Sequence, residues 1–186
     1  MSFRFTFTLD DEDLKYFERL LRDAKKYAKD KEPGEIIGAV HALVSKVREA
    51  PRLPGFAREA IDTLESLIDM IEDKDWALPK VIADRVLASL AYFAAPQDLI
   101  PDHVPGLGFL DDAIMIKIVE TEFDDDLTGY RKFRRFRDGA EQRPWTGVAK
   151  DRLPRRLKEK RDEIRKEIEL RKEKAEARKG RGFFRW

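Results

Sequence analysis

The chain has 186 residues, of which 42% are hydrophobic and 40% charged, and it contains no cysteine. This length is sufficient for one sizeable hydrophobic core with an appendage, and the absence of cysteine excludes a disulfide framework and a thiolate metal site. No run approaches about 18 consecutive apolar residues, and the N-terminus lacks a secretory signal pattern, so we expect a soluble cytoplasmic protein without a transmembrane segment.

The charges are divided unevenly along the chain. Residues 131–186 hold 22 Lys and Arg against 10 Asp and Glu, a net charge of +12, whereas residues 1–130 hold 16 against 27, a net charge of −11. A division of this size predicts an acidic body and a basic tail. The tail would fold back on the body or would engage a polyanion.

The first nine residues predict a short extended arm. Phe3, Phe5 and Phe7 alternate with polar residues, which is the period of a strand with one apolar face. Because a lone strand leaves its backbone groups unpaired, the arm would lie on the helices or pair with another chain.

Apolar residues at spacings of three and four predict helices along most of the remaining chain. Asp10 is an N-cap candidate for the first helix, and Pro33 suits the start of the second. A later helix is nearly all apolar from Val86 onward, which predicts a buried position. It must stop near Ala94, because the residue before Pro96 is pushed out of the helical region.

The next helix starts near Leu110 and is predicted to continue without a break to Tyr130 and the basic run that follows. A highly charged helix then extends from Asp151 to about Lys179. Its apolar stripe is thin, which predicts that it forms no core: Leu153, Leu157, Ile164, Ile168 and Ala175. The sequence therefore predicts an all-α fold with an extended arm over residues 1–9, a single helical-bundle domain over 10–140, and a protruding charged helix with an aromatic tail over 141–186.

One loop carries an unusual set of residues: Tyr92-Phe93-Ala94-Ala95-Pro96-Gln97-Asp98-Leu99-Ile100-Pro101-Asp102, then a glycine-containing turn and Leu110-Asp111-Asp112. From roughly Val81 to Val119 this pattern closely resembles the signature of the YkvA-like family of unknown function. The region upstream is also similar to a bacterial subgroup of that family. The resemblance implies a helical domain and no particular reaction.

The aspartates of this loop have two explanations. Asp98, Asp102, Asp111 and Asp112 could converge and offer the hard oxygen ligands that Mg²⁺ or Ca²⁺ prefers, and such a metal could activate water for hydrolysis. Local capping explains each of them separately, because Asp111 and Asp112 open a helix and the other two can accept backbone N–H bonds. The sequence favours capping and keeps the cation site as the alternative.

Recognisable catalytic motifs are missing. His41 is expected on a helix face and His103 in a solvated loop, and no serine lies in a nucleophile elbow. The glycines at 106 and 108 follow no strand, so they predict no phosphate-binding loop. The sequence predicts no catalytic residue and no organic cofactor.

The basic C-terminal region offers candidate polyanion contacts. Lys and Arg neutralise phosphates, and aromatic residues can stack on unpaired bases or lie at lipid headgroups. The alternatives are RNA or ribosome contact, an anionic membrane surface, and a helix that is solvated or packs on the body. The candidate residues are Arg134, Arg135, Arg155, Arg156, Lys179, Arg181, Arg185 and Trp186.

These observations favour a non-enzymatic binding or regulatory module, with an acidic loop face for a protein partner and a basic tail for a polyanion. A divalent-cation-dependent hydrolase and a peripheral membrane-surface protein are the alternatives.

Overall fold

A computed structural model describes residues 8–27, 31–49, 54–94, 109–142 and 147–182, and their side chains except at 27, 147–150 and 178–182. These residues form helices α1 to α7 and a 3₁₀ turn, and none of them forms a strand, which confirms the all-α prediction. The bounds are Asp11–Tyr27 (α1), Pro33–Arg48 (α2), Gly55–Glu72 (α3), Lys80–Leu90 (α4), Ala91–Ala94 (the 3₁₀ turn), Leu110–Glu122 (α5), Asp124–Glu141 (α6) and Gly147–Gly182 (α7). The predicted strand residues Phe3, Phe5 and Phe7 lie outside the described part of the chain.

The chain divides into two compact units. Residues 1–68 and 80–119 form the first unit, and residues 69–79 and 120–186 form the second. In this division α6 falls in the same unit as the charged C-terminal helix, and the predicted domain boundaries stay predictions.

The first unit contains α1, α2, α4 and most of α3 and α5. Asp10 caps α1 as predicted, since its carboxylate accepts hydrogen bonds from the backbone N–H groups of Glu12 and Asp13 at 2.8 and 3.0 Å. The apolar stretch from Val86 through the 3₁₀ turn is largely buried, and the turn packs on α1 and α2. The regular part of α4 ends at Leu90, so the 3₁₀ turn carries the chain to Ala94.

The helix predicted to run without a break from Leu110 past Tyr130 is two helices, so that prediction was wrong. Phe123 leaves the helical conformation with φ −112° and ψ 20°, and its ring is 1% exposed. The acids Asp124, Asp125 and Asp126 then fill the first turn of α6, where the helix dipole favours negative charge. Burial of the Phe123 ring and this acidic start explain the break.

In the second unit, α6 and α7 form an antiparallel pair, which we call the α6–α7 hairpin. Lys172 of α7 reaches Asp126 at the start of α6 at 2.9 Å, and Arg156 lies over the Phe136 ring near its end. The thin stripe of α7 was predicted to form no core, yet its three central members are 5%, 1% and 6% exposed: Leu157, Ile164 and Ile168. Gly129 explains the close packing of two of them, because a Cβ there would lie 2.6 Å from the Ile168 side chain and 3.0 Å from that of Ile164.

Candidate polyanion-binding surface

Residues 73–77 form a turn in the second unit, which we call the Asp73 turn. The Asp73 carboxylate accepts hydrogen bonds from the backbone N–H groups of Asp75 and Trp76 at 2.9 and 3.1 Å. It also accepts one from the Tyr130 hydroxyl at 3.1 Å and two from Arg137 at 2.8 and 2.9 Å. The carboxylate is 8% exposed, and these bonds tie the turn to α6.

Arginines of α7 hold the same turn by its backbone. Arg161 donates to the carbonyl of Asp75 at 3.0 Å, and Arg165 donates to the carbonyls of Trp76 and Ala77 at 2.6 and 2.5 Å. The Arg165 guanidinium also lies 5.3 Å from the centre of the Trp76 ring. Ala77 has a φ of 45°, a left-handed conformation that costs a residue with a Cβ about 1–2 kcal/mol. These cations therefore support a strained turn.

The pKa shifts in this network have physical causes. Burial and the neighbouring Asp73 carboxylate raise the pKa of Tyr130 above its ordinary value. Burial lowers the pKa of Arg137, but Asp73 outweighs that effect, so the pKa of Arg137 is raised. Burial and the nearby Arg161 lower the pKa of Arg165. The Asp73–Arg137 pair is thus held as an ion pair next to a neutral tyrosine.

In the central part of α7, most of the acids are exposed and most of the cations are partly buried. Residues 159–177 hold seven Lys and Arg and seven Asp and Glu. The exposed positions include five glutamates and three cations, whereas four other cations are partly buried. The exposed glutamates are Glu159, Glu163, Glu169, Glu173 and Glu176, and the partly buried cations are Lys160, Arg161, Arg165 and Lys172. This part of the helix therefore presents a mainly acidic surface.

The end of the hairpin where α6 finishes and α7 begins has the opposite character. Residues 131–142 and 151–158 hold nine Lys and Arg against three Asp and Glu. Five cations there are exposed. Arg131 pairs with Glu120 at 3.7 Å, and we call the other four the basic pole: Arg135, Arg152, Arg155 and Lys158. The Arg155 side chain is 84% exposed, and its pair with Glu159 is of the exposed i,i+4 type that contributes little.

The predicted polyanion residues fall into three groups. Arg135 and Arg155 belong to the basic pole. Arg134 pairs with Asp69 at 2.8 Å and lies over the Tyr130 ring, and Arg156 lies over Phe136. Lys179 and Arg181 lie on the helical backbone of α7, but their side chains, together with Arg185 and Trp186, are outside the described part of the chain.

The predicted cation ligands are only partly described. Asp98 and Asp102 lie outside the described residues, as does the predicted loop histidine His103, while Asp111 and Asp112 open α5 as predicted. Asp111 is 3% exposed, and Asp112 lines a small apolar pocket with Ala113 and Ile116. Within the described ranges, no three His, Asp or Glu side chains are grouped as metal ligands. The Mg²⁺ or Ca²⁺ site therefore stays a prediction.

The sequence predicts a turn from Asp73 to Leu78, which the structure confirms, but sequence reasoning missed the contacts that hold this turn. Its residues looked like an ordinary connection between two helices, and the side chains that bind it come from α6 and α7. The signal in the sequence was a tryptophan directly after three charged residues in a short connection. In the structure Trp76 is 1% exposed and contacts the rings of Tyr130 and Phe133.

Residues 85–118 match the family model described as "Protein of unknown function (DUF1232)". The chain is also similar to "Uncharacterized membrane protein YkvA" of Bacillus subtilis (strain 168), with 40% identity over 47 residues. The match covers 25% of this chain and 44% of that relative. No solved structure matches the chain. Among the residues that the structure describes, no helix has the length and apolar character needed to cross a membrane. The predicted resemblance is confirmed, since residues 85–118 match this family model and the chain is similar to YkvA over 47 residues.

Proposed function

We propose that this protein is a non-enzymatic binding module that associates with an anionic membrane surface through its basic C-terminal region. The observation that carries the proposal is the charge of residues 131–186, which is +12 next to a body of −11. Anionic lipids attract a basic segment by roughly 1 kcal/mol for each Lys or Arg near the surface.

The end of the region has the composition of a membrane-surface segment. Residues 178–186 contain four Lys and Arg, three aromatic residues and no acid. Aromatic side chains at the headgroup level combine with electrostatic attraction in such segments. The relative in Bacillus subtilis is named a membrane protein, which favours a lipid surface over RNA as the polyanion.

Vesicle co-sedimentation tests the proposal. Full-length protein should sediment with vesicles of 30 mol% phosphatidylserine in phosphatidylcholine and should stay in solution with pure phosphatidylcholine. Binding should weaken steeply between low and moderate salt, because the attraction is screened. Neutralising four terminal cations should lower binding by at least tenfold, and the substitutions are Arg178→Gln, Lys179→Gln, Arg181→Gln and Arg185→Gln.

A control variant removes the same charge from exposed cations of the acidic body: Lys15→Gln, Arg22→Gln, Arg58→Gln and Lys80→Gln. It should bind like the wild type. The two variants keep α7 intact, which matters because α7 buries Leu157, Ile164 and Ile168. Binding to single-stranded RNA without binding to the vesicles would replace the membrane surface with RNA, and binding to neither would remove the proposal.

A further inference from the structure

We infer that the folded part of the lipid contact is the basic pole, so that the α6–α7 hairpin meets the bilayer with this end and not along the length of α7. The inference rests on the proposed function and refines it. It names Arg135, Arg152, Arg155 and Lys158 as the cations that approach lipid phosphate groups.

The cations in the middle of α7 are committed within the second unit. Arg161 and Arg165 bind the carbonyls of the Asp73 turn, and Lys172 binds Asp126. Moving these side chains toward a lipid would leave backbone carbonyls and a carboxylate without their donors, and each such loss costs about 1–3 kcal/mol. A lipid phosphate therefore gains little by competing for them.

The acids in the middle of α7 oppose contact along its length. Five exposed glutamates lie between residues 159 and 177, against three exposed cations. A bilayer lying along this helix would bring its own negative charge within a Debye length of about 8 Å of those carboxylates. Repulsion would thus offset the attraction of Lys166, Arg171 and Lys174.

Both obstacles are smaller at the basic pole. Arg155 pairs with Glu159 in an exposed contact that contributes little. Three exposed acids lie in residues 131–142 and 151–158, but nine cations outnumber them: Asp138, Glu141 and Asp151.

The cations of the pole are exposed. The two helix ends that carry them contact each other through the Phe136 ring of α6, because Arg156 and Lys160 of α7 lie 5.8 and 5.9 Å from its centre. Since Phe136 is next to Arg135 and Arg156 is next to Arg155, this contact keeps cations of both helices at one end of the hairpin. Because the helices that carry these cations are already ordered, binding at this end does not require the ordering of a flexible backbone.

Two triple variants of the full-length chain test the inference on the same phosphatidylserine vesicles. The pole variant carries Arg135→Gln, Arg152→Gln and Arg155→Gln, and its binding should fall roughly 30- to 100-fold. The matched variant removes equal charge from the middle of α7 through Lys166→Gln, Arg171→Gln and Lys174→Gln, and its binding should fall less than threefold. Replacing the three pole arginines with lysine should retain most of the binding, because the contact depends on charge.

Circular dichroism should show the same helix content and thermal midpoint within about 3 °C for all variants, since none of these side chains is buried. Equal losses in the two triple variants would overturn the inference and leave the proposed function standing. The same holds if neither loses binding while the terminal variant does. Failure of the wild type to bind the vesicles would overturn both.

Discussion

Two stretches of the basic region use the same residue types in opposite ways. In residues 131–142 and 151–158, cations outnumber acids nine to three and several of them are exposed. In residues 159–177, seven cations balance seven acids, and the best-buried cations face the second unit's own carbonyls and carboxylates. The net charge of a segment therefore does not reveal which of its cations are available to a partner.

The largest effect is expected when the Asp73 carboxylate is removed, because it binds Tyr130 and Arg137 of α6. Asp73→Ala should lower the free energy of unfolding by about 3–5 kcal/mol, because Arg137 would keep a charge that is 19% exposed and without its main partner. Chemical denaturation measures the effect. Asp69→Ala is the control, since its pair with Arg134 is 48% and 42% exposed and should contribute less than about 1 kcal/mol. Equal losses would show that the Asp73 turn is not the anchor we describe.

The next largest effect on stability is expected at Gly129, where α6 and α7 approach each other closely. Gly129→Ala places a Cβ 2.6 Å from Ile168 Cδ1 and 3.0 Å from Ile164 Cγ2, and such overpacking costs about 1–3 kcal/mol. Ile168→Val removes the nearest atom, so the double variant should be more stable than the sum of the single changes predicts. Gly139→Ala, where a Cβ meets nothing within 4 Å, should be neutral or stabilising by up to about 1 kcal/mol. Additive losses at 129 and 168 would contradict the packing argument.

Two arginines of α7 allow a cation that binds within the second unit to be compared with an exposed one on the same helix. Arg165→Ala removes hydrogen bonds to two carbonyls and the contact with the Trp76 ring, so it should cost about 2 kcal/mol. Arg155→Ala removes only an exposed pair and should cost less than about 0.5 kcal/mol. Thermal unfolding of the two variants decides the matter, and a reversed order would mean that exposure does not separate structural from available cations.

Much of the fold could be predicted from sequence. Apolar spacing and capping residues specify helices locally, which is why α1, α2 and the buried stretch from Val86 appear where the pattern indicates. The break at Phe123 could also have been found, because three consecutive aspartates suit a helix start better than a helix middle. The uninterrupted apolar stripe concealed it.

The use of individual cations could not be predicted in this way. The bonds from Tyr130 and Arg165 to the Asp73 turn join residues 57 and 89 positions apart, so no local pattern contains them. Whether a thin stripe such as Leu157 and Ile164 becomes buried depends on a flat partner surface, and Gly129 provides it only once α6 and α7 are paired. The basic pole can be recognised only after the cations that bind carbonyls and carboxylates within the second unit have been identified.

The smallest expected effect concerns Tyr130, whose hydroxyl donates to Asp73. Its pKa is raised in the folded protein by burial and by Asp73, whereas an unfolded tyrosine titrates near 10. The stabilisation is therefore fully present below pH 10 and is lost as pH rises toward the folded pKa, because the unfolded chain releases its proton first. One such group lowers the free energy of unfolding by up to about 1.4 kcal/mol per pH unit in that window.

Tyr130→Phe should be less stable than the wild type by about 1 kcal/mol at pH 8, through loss of the bond to Asp73, and the difference should shrink or reverse between pH 10 and 11. Denaturation at these pH values, with Tyr16→Phe at an exposed ring as the control, measures it. A constant difference across the range would mean that Tyr130 ionises as readily in the folded protein as in the unfolded chain, so that burial and Asp73 do not hold it neutral.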